Sequence, residues 1–497
     1  MEVAASTEVV ESARPLLAVA VALAAAAAIL LLHGRDKFRD AATLCASVVM
    51  FLIVASMAPT VLAGGTVEYT MFQILPGADF AFRVDSLGMV FASISSFLWM
   101  AAAVYSIGYM RSLEEHAQTR FFACFAVSLA AAVGGAFAAN LFTLVIFYEA
   151  LSLVTYPLVY HHENEESWRG SRIYLVYLAG ASKTALLAAL ALTYYLTGSL
   201  DFMPGGLLDG VAASPLLLSV VYLCYLAGFA KAAIMPLHAW LPSAMVAPTP
   251  VSALLHAVAV VKMGVFCVLR VIFNVFGVRL MEDMSLGIIT AYLVSFTIIT
   301  ASIYALTRDD LKARLAYSTV SQLSYIILGA ALLTPGAIVG GIVHIAAHAL
   351  SKITLFFCAG SIYCASRRKK ISQLAGIGRK LPWTMVAFFI GSLGMIGIPP
   401  SGGFISKWYL VLGAVEAHEF VFLVVLLVST ILNAAYFLPV TYTAFFEKES
   451  TTQDADAPQE IREIPLVAAP LVVTALLSLL MGLYPGYFLT LARGVVG

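Results

Sequence analysis

LLAVAVALAAAAAILLL, from Leu16 to Leu32, settles the class of this chain. No side chain in it carries a charge or a hydrogen-bonding group. A run of this length nearly matches the ~30 Å hydrocarbon thickness at 1.5 Å rise per residue. Comparable blocks recur throughout the 497 residues, of which 61% are hydrophobic and only 11% charged. That charged share is about half of what a soluble domain carries. A soluble chain of this size divides into roughly two to four domains with charged surfaces, and nothing here reads that way. The runs are too long for barrel strands and lack period-two alternation. The expected fold class is therefore an all-α integral membrane protein.

Working outward from that run, hydropathy predicts about 14 transmembrane helices, near 14–33, 41–63, 85–109, 120–137, 140–160, 172–197, 214–235, 249–275, 284–306, 316–333, 336–364, 382–413, 419–446 and 465–490. Lys and Arg stay preferentially on the cytoplasmic side. With the N-terminus outside, the inside loops hold 18 of the 28 basic residues, including the cluster Arg367–Lys370. Outside segments and helix ends hold only Arg14, Arg83, Arg270, Arg279 and Arg493. A multi-pass protein of the cell (inner, cytoplasmic) membrane with both termini outside is expected. Glu447 to Glu463 reads as an acidic inside loop, without a second soluble domain.

Several classes drop out. The net charge is zero and no basic stripe with interleaved aromatics occurs, so nucleic acid is not an expected partner. The six cysteines, Cys45, Cys124, Cys224, Cys267, Cys358 and Cys364, form no CxxC pair and point to neither a metal centre nor a disulfide framework. No cofactor or metal is expected. The acidic leader (Glu2, Glu8, Glu11, against one Arg14) is opposite to the basic start of a signal peptide.

The remaining basic residues are Lys183, Lys231, Lys262, Lys352 and Lys407, all within predicted spans and nearly half of the eleven lysines. Among acidic residues only Glu149 lies well inside a span, with Asp85 at the mouth of another. Each mid-bilayer charge costs roughly 2.5–3.5 kcal/mol on insertion scales, so the set is tolerable only if paired or hydrated. Snorkelling covers Lys231 near a helix end, and Arg270 and Asp85. It fails for Lys183, Lys262 and Lys352, each more than ten residues from either end of its run. A buried lysine can give up its proton, whereas arginine stays charged, so lysine suits proton exchange.

Histidines extend the line. His344, His348 and Lys352 fall at i, i+4 and i+8, on one helix face. His256 and Lys262 are six apart and about 120° round the helix, a weaker pairing. Ser318, Ser321, Gln322 and Ser324 could hold water between charges, although serine also serves close helix packing. Two spans are broken: Pro236, Pro242, Pro248 and Pro250 follow Lys231, and Pro399, Pro400, Gly402 and Gly403 precede Lys407. Proline forces local unwinding. Interrupted helices in corresponding positions of two halves point to an inverted repeat with the ion site at the break, loops bounded by proline being the plain alternative. The implied division is 1–119 (helices 1–3), 120–275 (first five-helix repeat), 284–446 (second, inverted repeat) and 447–497 (acidic loop and last helix).

At these residues the chain resembles the antiporter-like family shared by respiratory complex I, Mrp-type cation/proton antiporters and membrane-bound hydrogenases. The motifs are YSIGYM (105–110), NLFTLVIFYE (140–149), KAAIMPLHAWLPSAMVAPTPVSALLHAVAVVKMGVF (231–266), RLAYSTVSQLSY (314–325), HIAAHALSKITLFFCAG (344–360) and GIPPSGGFISKW (397–408). The resemblance implies that Glu149 pairs with Lys231, and that Lys262, with His256 before it, is the central lysine. It further implies that His344, His348 and Lys352 form a relay ending at Lys407. Lysine at 407 argues against the complex I branch that has glutamate there. Lys183 departs from the pattern and reads as an added partner for Glu149 or a change in the axis.

The first two spans and the loop GGTVEYTMFQILPGADFAFRVDSLG look most like the D-type subunit of Mrp Na+/H+ antiporters. The resemblance thus implies a proton-translocating component working with other membrane subunits, with protons and Na+ or K+ as the ions. A proton-pumping subunit of a complex I-type NADH–quinone oxidoreductase or a membrane-bound hydrogenase is the alternative, with redox chemistry left to partners. A purely structural role and coupling to inorganic-carbon uptake are the further rivals.

Overall fold

The computed structural model describes residues 8–448 and 460–496. Most of the expected acidic loop, 449–459, lies outside the described residues. The helices are α1 (Arg14–Leu31), α2 (Asp36–Leu62), α3 (Ser86–Ser112), α4 (Gln118–Ala136), α5 (Leu141–Val159) and α6 (Glu165–Thr197). They continue with α7 (Pro215–Gly228), α8 (Thr249–Asp283), α9 (Leu286–Leu306), α10 (Leu311–Ala331) and α11 (Pro335–Ser366). Next come α12 (Pro382–Ile396), α13 (Gly402–Glu416), α14 (Phe420–Phe446), α15 (Pro465–Leu483) and α16 (Gly486–Val496).

Among the described residues, eleven helices are long and apolar enough to cross a membrane. The other expected spans take different forms. The tenth is the 21-residue helix α10, which begins with Lys312 and Arg314 in its first turn. The seventh and twelfth are divided where proline breaks them. α7 stops at Gly228 after 14 residues, and α12 stops at Ile396, with α13 starting at Gly402. Caps explain several starts: Asp85 accepts from the Gly88 amide at 2.8 Å, and Asn140 from the Thr143 amide at 2.8 Å.

The chain is not purely helical. Val9–Glu11 (β1), Thr66–Leu75 (β2) and Ala78–Val84 (β3) form a three-stranded sheet in the order β1-β2-β3. The stretch expected as a loop is a β2–β3 hairpin turning at Pro76 and Gly77, where Gly77 takes φ +69°. Alternating β-branched and aromatic residues around a two-residue turn carry that signal (Val67, Tyr69, Phe80, Phe82). Thr143 and Asn140 tie β3 to the start of α5, through the Ala81 amide at 3.2 Å and the Asp79 carbonyl at 2.7 Å.

α11 occupies the centre, its apolar window wholly buried. It packs against α3, α10, α12, α13 and α15. α14 by contrast exposes Val421, Val424, Leu427, Val428 and Ile431, as a lipid-facing helix does.

Candidate functional site

Lys231 follows the end of α7, in a single tight turn spanning Ala230–Ala232. α8 passes so close that a Cβ on Gly264 would stand 2.2 Å from the Ala232 nitrogen, and only glycine admits that approach. Lys231 is fully buried, so snorkelling does not describe it. Its ammonium donates to the backbone carbonyl of Tyr148 and stands 3.5 Å over the centroid of the Tyr148 ring. Glu149 is the next residue, but among the described ion pairs none joins it to Lys231. The expected direct pair is thus replaced by a carbonyl and a ring face, and one buried carboxylate oxygen of Glu149 has no hydrogen-bond partner.

Further along α8, His256 lies in a π-turn, Leu254–Val258, with its ring 4.8 Å from that of Phe356 and both nitrogens buried and unpartnered. Such single-turn distortions are frequent at functional positions. Lys262, about one and a half turns on, is fully buried and its Nζ lies 2.8 Å from Nδ1 of His348 on α11. This contact joins α8 to α11.

On α11, His344 and His348 share a face as their spacing predicts, with ring centroids 6.0 Å apart. His344 is held from both sides: Nδ1 is 2.8 Å from Ser406 Oγ and Nε2 is 2.9 Å from Gln322 Oε1. Lys352, one turn beyond His348, is held at 2.9 Å by Ser318 Oγ and at 3.3 Å by the Leu315 carbonyl. Of the other α10 serines, Ser321 bonds Ser302 and Ser324 bonds its own helix backbone, which is the packing role.

Lys407 lies in the first turns of α13, beside the second break. Its ammonium donates to the carbonyls of Met395 and Ile396 at 3.0 and 2.9 Å. These are carbonyls at the end of α12, where the helix stops and leaves its last acceptors without helical partners. The same ammonium stands 4.9 Å over the Tyr325 ring, which is stacked on His344 at 5.6 Å. A second polar branch runs from Lys352 through Ser318 to the Tyr436 hydroxyl at 3.1 Å, and on to Asn433.

Two expectations are corrected. Lys183, although mid-helix, is exposed on the outer face of α6 in a π-turn, Ser182–Leu186, beside exposed Thr184 and Leu187. No described ion pair joins it to Glu149. Arg270 and Asp85 do not snorkel but form a two-pronged ion pair, at 2.5 and 2.7 Å, between α8 and the cap of α3. Tyr148, Tyr325, Tyr436, Asn433 and Ser406 carry no sequence signal of their own, because a buried tyrosine or serine in an apolar run reads first as packing.

A bundle with four buried lysines in or beside its interrupted helices and its central helix, one of them bonded to a histidine, is a membrane protein with an ionisable interior. Residues 138–433 match the family described as NADH:quinone oxidoreductase/Mrp antiporter, TM, and residues 76–122 match the N-terminus of complex I chain 5. The chain belongs to the NADH:quinone oxidoreductase/Mrp antiporter family. It is 33% identical over 395 residues to NADH-quinone oxidoreductase subunit N of Desulforudis audaxviator, covering 79% of this chain and 78% of that one. It is 32% identical to a probable K(+)/H(+) antiporter A/B subunit of Rhizobium meliloti, over 88% of this chain and 44% of the relative. With the A subunit of the Na(+)/H(+) antiporter of Alkalihalophilus pseudofirmus the identity is 30%, over 82% and 54%. The chain thus spans about half the length of these two antiporter relatives. In fold it matches a chain of the Mrp complex from Dietzia sp., with TM-score 0.87 and 23% identity over 97% and 96% of the two chains. It also matches a chain of an archaeal membrane-bound sulfane sulfur reductase, with TM-score 0.86 and 23% identity over 97% of each.

Proposed function

We propose that this chain is the proton-translocating component of a multi-subunit cation/proton antiporter of the Mrp type, D-like in its first spans and hairpin. The observation that carries the reading is the 2.8 Å contact between Lys262 Nζ and His348 Nδ1. Proton transfer needs contact near 3 Å or a bridging water. Of the four buried lysines, Lys262 is the one whose ammonium bonds a histidine, and that partner belongs to the other half. Protons move along Glu149, Lys231, Lys262, His348, His344 and Lys407, with Lys352 as a branch and His256 beside Lys262. In this reading fourteen helices cross the cytoplasmic membrane of the cell. Residues 120–275 and 284–446 are two inverted five-helix repeats, and both termini face outside. Other membrane subunits complete the assembly, and Na+ or K+ is the exchanged ion.

A second reading, an antiporter-like part of a complex I-type oxidoreductase, is favoured by the NADH-quinone oxidoreductase subunit N relative, 78% of whose length is covered. Purified native complex in proteoliposomes separates the two. The antiporter reading requires proton flux driven by an imposed Na+ or K+ gradient with no redox substrate. Flux that appears only on adding an electron donor and quinone would select the second reading.

A further inference from the structure

The α3–α4 and α5–α6 connections meet on one face of the bundle and bring Glu115, His116, His161 and His162 together. One ligand atom from each of Glu115, His116 and His161 lies within 4.8 Å of the others. Glu115 Oε2 is 3.6 Å from His161 Nε2 and 3.7 Å from His162 Nδ1. The His116 and His161 rings face each other with centroids 4.8 Å apart. His161 is fully buried, yet neither of its ring nitrogens has a hydrogen-bond partner. Burying an imidazole with no hydrogen bond to either nitrogen, and only the Glu115 carboxylate 3.6 Å from Nε2, is costly, so the side chain is built for a ligand that the other groups complete.

We propose that Glu115, His116 and His161 form a site for a divalent transition metal of the zinc type, with His162 available as a fourth ligand. Two imidazoles and one carboxylate are a borderline donor set that selects Zn2+, Co2+ or Ni2+ over Mg2+ and Ca2+. Tetrahedral ligands at about 2.0–2.1 Å from zinc lie roughly 3.3 Å apart, so the cluster has to close by about 1.5 Å. His116 and Glu115 sit on the short loop between helices and are not fully buried, so the movement falls on them. His161 is held in place: Arg120 donates to its carbonyl at 3.3 Å and pairs with Glu163 at 2.5 Å. That pair also neutralises the guanidinium beside the site. Cysteine spacing gives no hint of this site. The signal is two adjacent pairs, Glu115-His116 and His161-His162, each at the connection following a predicted span.

The site would staple two connections at the rim of a polar cleft of about 490 Å3, lined among others by His116, His162, Lys312 and Lys369. The test uses the full chain, stripped of metal with a chelator and titrated with Zn2+ by calorimetry and with Co2+ by visible absorption. One metal per chain, micromolar binding and the intense bands of four-coordinate Co2+ are expected. His116→Ala and Glu115→Gln, at positions that are not fully buried and do not threaten folding, should each weaken binding roughly tenfold or more. His418→Ala, a histidine far along the chain, should leave it unchanged. Substoichiometric binding by the unmodified chain, or unchanged affinity in His116→Ala, overturns the assignment.

Discussion

The Nζ of Lys262 lies 2.8 Å from Nδ1 of His348, so the helix that follows the first break and the central helix share one titratable contact. In the proposed line, the Glu149 side reaches the Lys407 side through this point. His348 Nε2 is buried and unpartnered, so the imidazole has one nitrogen engaged and one idle. His348→Ala should therefore slow proton flux without abolishing it, because a water fits where one imidazole was. Flux in vesicles carrying the assembled complex, normalised to protein, checks this. Complete loss would mean that the ring itself is obligatory.

Glu149 bears a carboxylate with no described ion-pair partner, next to Tyr148, whose carbonyl and ring hold Lys231. Its charge touches no described cation, so Glu149→Gln should insert and assemble like the unmodified chain yet lose transport. Lys231→Ala should also lose transport, and with some loss of assembly, since it removes the buried side chain that fills the space between the Tyr148 carbonyl and ring. Assembly is read on native gels and flux with a pH-sensitive dye. Normal flux in a well-assembled Glu149→Gln complex would remove Glu149 from the pathway.

Lys183 is exposed on α6 while the proposed line runs through the interior. Lys183→Ala should leave flux within about twofold of normal, because a distant exposed amine is screened from buried groups. A loss as deep as that of Lys231→Ala would return Lys183 to the axis.

The Arg270–Asp85 pair joins α8 to the start of α3 with the guanidinium almost wholly buried. Breaking a buried pair by removing one partner costs roughly 3–5 kcal/mol, less here because Asp85 is partly exposed. Arg270→Ala should lower thermal stability in detergent by several degrees. An unchanged melting temperature would show that the pair is energetically neutral.

The proposed topology rests on the clustered basic residues. A cysteine placed at position 369 of a chain otherwise free of reactive cysteine should label from the cytoplasmic side only. Labelling from outside alone would invert the proposed orientation.

Much of this is legible in residue order. Proline clusters after Lys231 and before Lys407 mark both breaks, because no other residue both lacks the donor and clashes with the preceding turn. The i, i+4 spacing of His344 and His348 gives their shared face. Depth alone misleads at Lys183, since hydropathy says how far along a span a residue lies and nothing about which way it points. Pairing of Glu149 with Lys231 depends on proximity in the fold, and there the Tyr148 carbonyl, invisible to sequence, takes the ammonium. The β2–β3 hairpin has a signal in its alternating residues and two-residue turn, but a short stretch between two membrane spans reads first as a connecting loop.

Lys262 decides whether the line conducts or merely carries charge. Arginine at 262 keeps the positive charge but holds its proton, whereas alanine removes both. The direct measurement is proton flux through the reconstituted complex for Lys262→Arg beside Lys262→Ala, with equal assembly verified. The account predicts that both variants fall to background, as severely as loss of Glu149. Transport at the normal rate by Lys262→Arg would contradict it and leave Lys262 as a fixed electrostatic element.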